Sequence, residues 1–270
     1  MSNTAKRMIS AAVLILLIIL AIKIGQWGAL GVILAFGILI IDEIEINFFK
    51  HIRDVNYWTS QIVFSSAFLL VFWNFSNIIY YVFWTMSLML NCALLYYLFF
   101  TKMETKAFAR MAKTPFLGAA YALINFICLG LLVKEQPWVD LIILAILLAS
   151  CTDTAAWFVG RNIGKTALWP TVSPNKTREG LYGGILITAI VGTIYYNLKF
   201  NFFSLSLLLI FAFLSLLSQL GDLVKSKFKR QAGIKDSSAL IPGHGGVLDR
   251  LDSLIFLTPF YLIWTHLWER

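Results

Sequence analysis

The stretch that decides the fold runs from Phe203 to Asp222 and reads F-S-L-S-L-L-L-I-F-A-F-L-S-L-L-S-Q-L-G-D. It contains 19 residues without a charge before the final carboxylate. An apolar run of about 20 residues has the length of one membrane crossing as an α-helix. The stretch therefore predicts a transmembrane helix that carries an acidic residue at one end.

The rest of the chain has the same character. Of 270 residues, 59% are apolar and only 13% are charged, and the mean hydropathy is +0.79. This leaves too few polar residues to cover a water-exposed globule. We predict an all-α, polytopic integral membrane protein with about nine transmembrane helices, near residues 8–24, 27–41, 59–73, 78–100, 115–133, 138–158, 181–198, 203–221 and 251–268.

The apolar stretch from Met8 to Ile41 is too long for one crossing and is interrupted between Lys23 and Gly28, so two helices are predicted there. Lys6 and Arg7 precede it, as in a signal peptide. No small-residue cleavage site follows, so we expect the first segment to be a retained helix.

Basic residues alternate along the predicted loops. With nine crossings, 18 of the 22 Lys and Arg residues lie on one side of the membrane and four on the other. Because basic residues concentrate in cytoplasmic loops, we expect a cytoplasmic N-terminus and a C-terminus outside. We divide the chain into two regions. Residues 1–150 hold about six N-terminal spans, the sixth of which continues past residue 150, and residues 151–270 form a catalytic region with two polar cytoplasmic loops.

Those two loops hold most of the polar residues. The first cluster begins at Thr152 and Asp153 and ends with S-P-N-K-T-R-E-G at 173–180, and the second extends from Gly221 to Asp252. Basic groups, carboxylates and a glycine-rich turn at one membrane face are typical of a site that binds a polyanion through metal ions. A basic anchor for lipid headgroups is the alternative.

Three carboxylates stand at helix ends. Asp222 shares a helix face with Ser226 and Lys229, and Asp249 shares one with Asp252. A carboxylate at that depth needs a cation, a basic partner or water. Together with Asp153 these acids predict a Mg²⁺ site, whereas a salt bridge or a helix cap is the alternative for Asp249.

His244 lies between Gly243 and Gly245, just before a predicted helix start. Glycine permits a positive φ and a close approach of backbone amides to an anion. The segment therefore predicts an anion-binding turn, and a glycine turn with an incidental histidine is the alternative.

Several other patterns are excluded. Gly160–Thr166 reads G-R-N-I-G-K-T, which has three residues between its glycines where a P-loop has four, and it follows an apolar segment. Cys92, Cys128 and Cys151 form no C-x-x-C pair, so neither a disulfide framework nor a zinc site is predicted. The scattered aromatic residues are typical of membrane spans, and no nucleic acid is expected as a partner.

The run from Ser226 to Asp252, S-K-F-K-R-Q-A-G-I-K-D-S-S-A-L-I-P-G-H-G-G-V-L-D-R-L-D, closely resembles the signature of the phosphatidate cytidylyltransferases, also called CDP-diacylglycerol synthases. The upstream D-T-A-A-W-F-V-G-R-N-I-G-K from Asp153 and the S-P-N-K-T-R-E-G segment resemble two further motifs of that family. The resemblance is strong over about residues 150–252, whereas the first 150 residues match only in being several spans.

The resemblance implies transfer of a cytidylyl group from CTP to phosphatidate, giving CDP-diacylglycerol and pyrophosphate, with Mg²⁺ and room for a second cation. Asp222 and Asp249 would be the chief metal ligands, with Asp252 bridging or beside them and Asp153 and Asp236 less central. The expected phosphate and nucleotide ligands are Lys176, Ser226, Lys229, Arg230, Lys235, His244, Gly245, Gly246 and Arg250.

The expected partners are CTP, phosphatidate and the lipid bilayer, and the expected location is the inner (plasma) membrane, with the site facing the cytoplasm. A homodimer through the apolar helices is a further expectation. A CTP-dependent polyprenol kinase would release CDP instead, and a secondary transporter would place its acids near the midplane. A CDP-alcohol phosphotransferase is excluded because its Asp-Gly-x-x-Ala-Arg motif is missing.

Overall fold

The computed structural model describes residues 3–73, 76–103, 106–114, 116–243 and 245–268. Helices dominate these residues. The α-helices are α1 Asn3–Ile24, α2 Gln26–Asp42, α3 Val55–Trp73, α4 Asn77–Phe100, α5 Lys106–Met111, α6 Leu117–Leu131, α7 Trp138–Ile163, α8 Arg178–Phe200, α9 Leu205–Gln231 and α10 Leu248–Trp268.

Each of the nine predicted apolar segments overlaps one of these helices, α5 being the helix without a predicted segment. Within the described residues, five helices are long and apolar enough to cross a membrane: α3, α4, α7, α8 and α9. The apolar parts of α1 and α6, Met8–Ile24 and Leu117–Leu131, are shorter. The all-helical class is thus confirmed and a membrane protein is indicated, whereas the count of nine spans stays a prediction.

The chain forms two compact units that do not follow chain order. Unit 1 comprises residues 1–90, 104–134 and 228–251, and unit 2 comprises residues 91–103, 135–227 and 252–270. Each unit takes residues from both sides of residue 150. The predicted functional division at residue 150 stays a prediction.

In unit 1, helices α2, α3 and α6 pack around aromatic rings. Phe64, Phe68 and Phe126 are at most 1% exposed, and the Phe64 and Phe126 rings meet edge to face with their centroids 6.5 Å apart. The Phe64 ring fills the space that a Cβ on Gly37 would occupy. Small residues on α2 therefore let the large rings of α3 approach it closely.

Unit 1 also contains a π-helical segment, Glu43–Phe48, which continues α2 without a break. Nothing in the hydrophobic pattern predicts this segment. It holds two buried carboxylates, Glu43 and Glu45, at 1% and 4% exposure. π-helical segments are rare and occur frequently at functional sites.

In unit 2, small and hydroxyl-bearing residues bring α7 and α8 close together. A Cβ on Gly184 would lie 2.9 Å from the Cβ of Ala156. The buried Thr152 hydroxyl contacts Thr188 of α8 at 3.2 Å and Ser215 of α9 at 2.8 Å. Hydrogen bonds between hydroxyl groups of this kind hold helices together in an apolar surrounding.

A short hairpin joins α7 to α8 in unit 2, where the sequence analysis predicts only a polar loop. Strand β1 (Ala167–Trp169) pairs antiparallel with β2 (Ser173–Thr177). The Thr177 hydroxyl accepts a hydrogen bond from the Gly180 amide and so caps α8. The hairpin fixes the direction in which the side chains of β2 point.

Candidate functional site

Asp222 of α9 lies between two lysines in unit 2. Lys176 Nζ is 2.5 Å from Asp222 Oδ2, and Lys225 Nζ is 3.0 Å from Asp222 Oδ1. Lys225 comes three residues after Asp222, so helical geometry places both side chains on one face, whereas Lys176 comes from β2. Of the partners predicted for Asp222, a cation, a basic group or water, the structure shows two ammonium groups.

Lys225 also contacts a second carboxylate. Its Nζ is 2.5 Å from Asp252 Oδ2 of α10. The side chains of Lys225 and Asp252 are 9% and 6% exposed. One buried ammonium group thus neutralises parts of two carboxylates, and burial makes this arrangement costly to break from either side.

Asp153 of α7 joins the same group through neutral side chains. Gln219 donates a hydrogen bond to Asp153 Oδ1 at 3.1 Å and accepts one from Lys176 at 2.7 Å. The Ser253 hydroxyl donates to Asp153 Oδ2 at 3.4 Å. The lysine-held cluster therefore combines three carboxylates with two ammonium groups, and it consists of Asp153, Lys176, Gln219, Asp222, Lys225, Asp252 and Ser253.

This cluster offers both kinds of ligand that a nucleotide site needs. Its carboxylate oxygens are hard donors of the type that Mg²⁺ prefers, and its ammonium groups can hold phosphate oxygens as point charges. Among the residues that the structure describes, no three His, Cys, Asp or Glu side chains are arranged to hold a metal ion. Lysines occupy the carboxylate oxygens of Asp222, so an ion would have to displace one of them.

Asp249 is held within unit 1 at the start of α10. Its Oδ1 accepts from Lys229 Nζ at 2.9 Å. Its Oδ2 accepts from the Ser237 amide at 2.9 Å, the Ser237 hydroxyl at 3.0 Å and the Gly246 amide at 3.3 Å. The salt-bridge alternative for Asp249 is present, whereas its backbone donors, Ser237 and Gly246, precede α10 and are not the amides that a helix cap satisfies. A metal ion shared by Asp222 and Asp249 stays a prediction.

The glycine-rich turn before Asp249 has the backbone that the sequence predicts. Gly243 and Gly245 have φ values of +78° and +85°, which disfavour any side chain. Gly246 is also constrained, because a Cβ there would overlap the Ser237 hydroxyl. His244 lies outside the described residues, so its nucleotide contact stays a prediction.

The remaining predicted ligands lie on the same segments. Ser226 belongs to the part of α9 in unit 2, and Arg230 follows on α9 in unit 1. Lys235 and Asp236 are exposed on the loop after α9, and Arg250 is exposed in the first turn of α10. Their proposed contacts with phosphate stay predictions.

A histidine outside the predicted site forms a close pair in unit 1. His51 Nδ1 lies 2.5 Å from Glu45 Oε2, and its Nε2 lies 2.6 Å from the Ala112 carbonyl oxygen. Both neighbours accept, and only the doubly protonated ring can donate to both. Burial opposes this charge, but the hydrogen bonds to Glu45 and Ala112 outweigh it and raise the pKa of His51 above 6.5.

Sequence reasoning missed several residues of these clusters. Lys225 and Gln219 each lie three positions from Asp222, so helical spacing alone could have placed them beside it. Glu43, which contacts Ser237 in unit 1, is almost 200 residues away along the chain. The signal for Glu43 was the unusual group of three acids in the apolar run I-L-I-I-D-E-I-E-I, residues 38–46.

Comparison with known proteins gives a consistent result. The model of the cytidylyltransferase family matches residues 5–268. A phosphatidate cytidylyltransferase of Staphylococcus haemolyticus (strain JCSC1435) is 42% identical over 150 residues, which are 53% of this chain and 58% of the relative. The phosphatidate cytidylyltransferase of Bacillus subtilis (strain 168) is 51% identical over 110 residues, 40% of this chain and 41% of the relative. The chain thus spans about half the length of these curated relatives.

Proposed function

The chain belongs to the cytidylyltransferase family, and from that premise we propose that it transfers the cytidylyl group of CTP to phosphatidate, forming CDP-diacylglycerol and pyrophosphate. The relatives that bear the name phosphatidate cytidylyltransferase support this substrate pair. The observation that carries the proposal is the position of Asp222 between Lys176 and Lys225. Such a cluster can bind phosphate groups and the cations that accompany them.

The reaction needs charge neutralisation more than a strong base. A phosphate oxygen of phosphatidate attacks the α-phosphorus of CTP, and the bond from that phosphorus to the bridging oxygen breaks, so its electron pair leaves with pyrophosphate. A phosphate monoester is largely dianionic at neutral pH and is already a nucleophile. Lys176 and Lys225 would exchange carboxylate for phosphate oxygens, and Lys229, Arg230, Lys235 and Arg250 would hold the remaining charge.

Mg²⁺ is part of the proposal because carboxylate oxygens are the type of donor that it prefers. Asp222 and Asp249 are the proposed ligands, with Asp252 and Asp153 beside them. When bound, a divalent cation neutralises charge on the leaving pyrophosphate and polarises the phosphoryl oxygens. The lysines paired with Asp222 and Asp249, which are Lys176, Lys225 and Lys229, are the groups that would hold phosphate oxygens.

We place the site at the cytoplasmic edge of the inner (plasma) membrane, with nine spans, the N-terminus inside and the C-terminus outside. CTP is soluble in the cytoplasm, whereas phosphatidate stays anchored in the bilayer by its acyl chains. The 18 basic residues predicted for that side support this orientation. A homodimer through the apolar helices belongs to the same proposal.

The test uses purified protein, phosphatidate, Mg²⁺ and CTP labelled in its cytosine ring. We expect the label to enter the lipid fraction and pyrophosphate to be released in equal amount. A lipid kinase that uses CTP would leave the cytosine label in CDP, and that result would reject the proposal. In sealed vesicles, transfer should require CTP on the face that corresponds to the cytoplasm, and transfer from the other face alone would reject the proposed orientation.

A further inference from the structure

Glu43 is a fully buried carboxylate that contacts the glycine-rich turn of unit 1. It is 1% exposed and lies at the start of the π-helical segment. Its Oε1 accepts from the Ser238 hydroxyl at 2.7 Å and from the Val247 amide at 2.7 Å. Its Oε2 accepts from the Ser237 hydroxyl at 2.9 Å and from the Leu248 amide at 2.9 Å. Four donor groups thus join residue 43 to residues 237–248, and one of them, the Ser237 hydroxyl, also faces Asp249 Oδ2.

The donors explain why a charge is tolerated there. A buried carboxylate is costly unless good hydrogen bonds replace those that it made to water. Val247 and Leu248 stand at the N-terminus of α10, where backbone amides have no partner inside the helix and the helix dipole favours a negative charge. Glu43 therefore caps α10 from a distant part of the chain.

Ser237 connects Glu43 to Asp249. The Ser237 hydroxyl lies 2.9 Å from Glu43 Oε2 and 3.0 Å from Asp249 Oδ2, but it has a single proton to donate. The Ser237 amide donates to Asp249 as well. A change in the position of Glu43 would therefore move the serine that holds Asp249.

Gly246 shows how closely these groups fit. A Cβ at residue 246 would overlap the Ser237 hydroxyl and lie 2.5 Å and 2.6 Å from the two carboxylate oxygens of Glu43. Only glycine leaves room for the carboxylate against this backbone. The second glycine of the G-G pair is thus explained by Glu43.

We infer that Glu43 is a positioning residue for nucleotide binding, which holds the loop of residues 237–248 and the first turn of α10, and through Ser237 the carboxylate of Asp249. The inference rests on the proposed function, since that loop supplies the proposed CTP ligands. Glu43 itself touches neither substrate nor metal in this account. Its effect passes through the hydrogen bonds described above.

The test compares Glu43→Gln with a matched control, Asp42→Asn. Gln at residue 43 keeps one acceptor oxygen, but its NH₂ group faces N–H and O–H donors where the second carboxylate oxygen was. Some of the four hydrogen bonds to residue 43 are therefore lost. Asp42 is the adjacent carboxylate, and its hydrogen bonds go to Arg53 and Tyr57 instead. Both changes remove one negative charge from the same segment.

Two readouts separate positioning from folding. In Glu43→Gln, we expect amide hydrogen exchange of residues 237–248 to accelerate about tenfold. We expect KM for CTP to rise about tenfold while KM for phosphatidate stays within about twofold. A merely structural role would lower the active fraction, and hence the apparent kcat, without changing KM. Asp42→Asn should change neither readout.

Unchanged exchange in Glu43→Gln would overturn the inference, and so would faster exchange with an unchanged KM for CTP. If Glu43→Gln fails to fold, Ser238→Ala decides instead, because it removes a single hydrogen bond to Glu43 Oε1. It should shift both readouts in the same direction by at least about threefold, since a hydrogen bond to a charged acceptor is worth more than a neutral one. If the wild type transfers no cytidylyl group, the proposed function has failed. In that case amide hydrogen exchange of residues 237–248, compared between wild type and Glu43→Gln with and without CTP, decides the positioning role. Faster exchange in Glu43→Gln supports it, and unchanged exchange overturns it.

Discussion

Two sets of carboxylates, one in each unit, are stabilised in different ways. In unit 2, Asp222 and Asp252 contact the ammonium groups of Lys176 and Lys225. In unit 1, Glu43 accepts from two backbone amides and two serine hydroxyls.

The two sets differ in whether the hydrogen-bond donors can leave the carboxylate. An ammonium group on a long side chain can leave a carboxylate when a cation or a phosphate arrives. Backbone amides at a helix start cannot leave without unfolding the turn. The lysine-held cluster is therefore suited to exchange ligands. Glu43 and its four hydrogen-bond donors are suited to hold a fixed geometry.

The largest expected effect is on activity, in Asp222→Asn. The change removes the charge that positions Lys176 and Lys225, and it also alters a proposed metal ligand. Cytidylyl transfer should therefore fall at least about a hundredfold. The matched control is Asp140→Asn in the same unit, where the carboxylate pairs with Lys199 at 3.0 Å. Its activity should stay within about threefold of wild type. Equal activities in the two variants, measured as label transferred per folded protein, would remove the lysine-held cluster from the mechanism.

The next effect is on stability, in Lys225→Met. Two carboxylates lose their shared ammonium group, so the free energy of unfolding in detergent should fall by about 3–5 kcal/mol. Asp222 keeps Lys176, so adding Asp252→Asn removes the carboxylate that has lost its ammonium partner and should restore part of that loss. A double variant no more stable than Lys225→Met would show that Lys225 and Asp252 are not coupled.

A smaller effect is expected for Gly246→Ala. The added Cβ overlaps Ser237 and approaches Glu43, so the free energy of unfolding should fall by about 1–3 kcal/mol. The same substitution at Gly31 of α2, where a Cβ meets nothing within 4 Å, should be neutral or stabilise by up to about 1 kcal/mol. Thermal unfolding of both variants compares them directly. Equal losses of unfolding free energy in the two variants would contradict the close fit of Gly246 against Glu43 and Ser237.

The smallest effect is a pH dependence from His51. Its pKa is raised by folding, so its contribution is complete below the unfolded value of 6.5 and is lost as the pH rises through the folded value. Because the side chain is 33% exposed, the contribution should be at most about 1 kcal/mol. The stability difference between wild type and His51→Gln should therefore shrink as the pH rises above 6.5. A difference that grows instead would contradict the charged pair with Glu45.

The sequence predicted most of the helices because each apolar run is several helical turns long. It placed Asp222 correctly at the end of the apolar run, but the helix does not end there, because α9 continues through the basic residues to Gln231. The hairpin before α8 escaped prediction because its strands have three and five residues. Such short strands leave no alternating pattern.

The partners of the predicted acids were harder to foresee. Asp222 and Lys225 are close along one helix, but Glu43 and Ser237 meet only through the tertiary fold. Lys227 shows a limit of charge counting. It belongs to the predicted cytoplasmic basic residues, yet it is 1% exposed and donates to the carbonyls of Tyr97, Leu98 and Thr101 at the end of α4. A count of charges cannot distinguish a helix cap from a loop residue.

The central claim is that phosphatidate receives the cytidylyl group of CTP, and one phosphorus NMR time course of the purified protein with both substrates and Mg²⁺ tests it most directly. The account predicts that the monoester signal of phosphatidate disappears at the same rate as a lipid diphosphate signal and a pyrophosphate signal appear. Formation of CDP, or consumption of CTP while the phosphatidate signal stays constant, would contradict it.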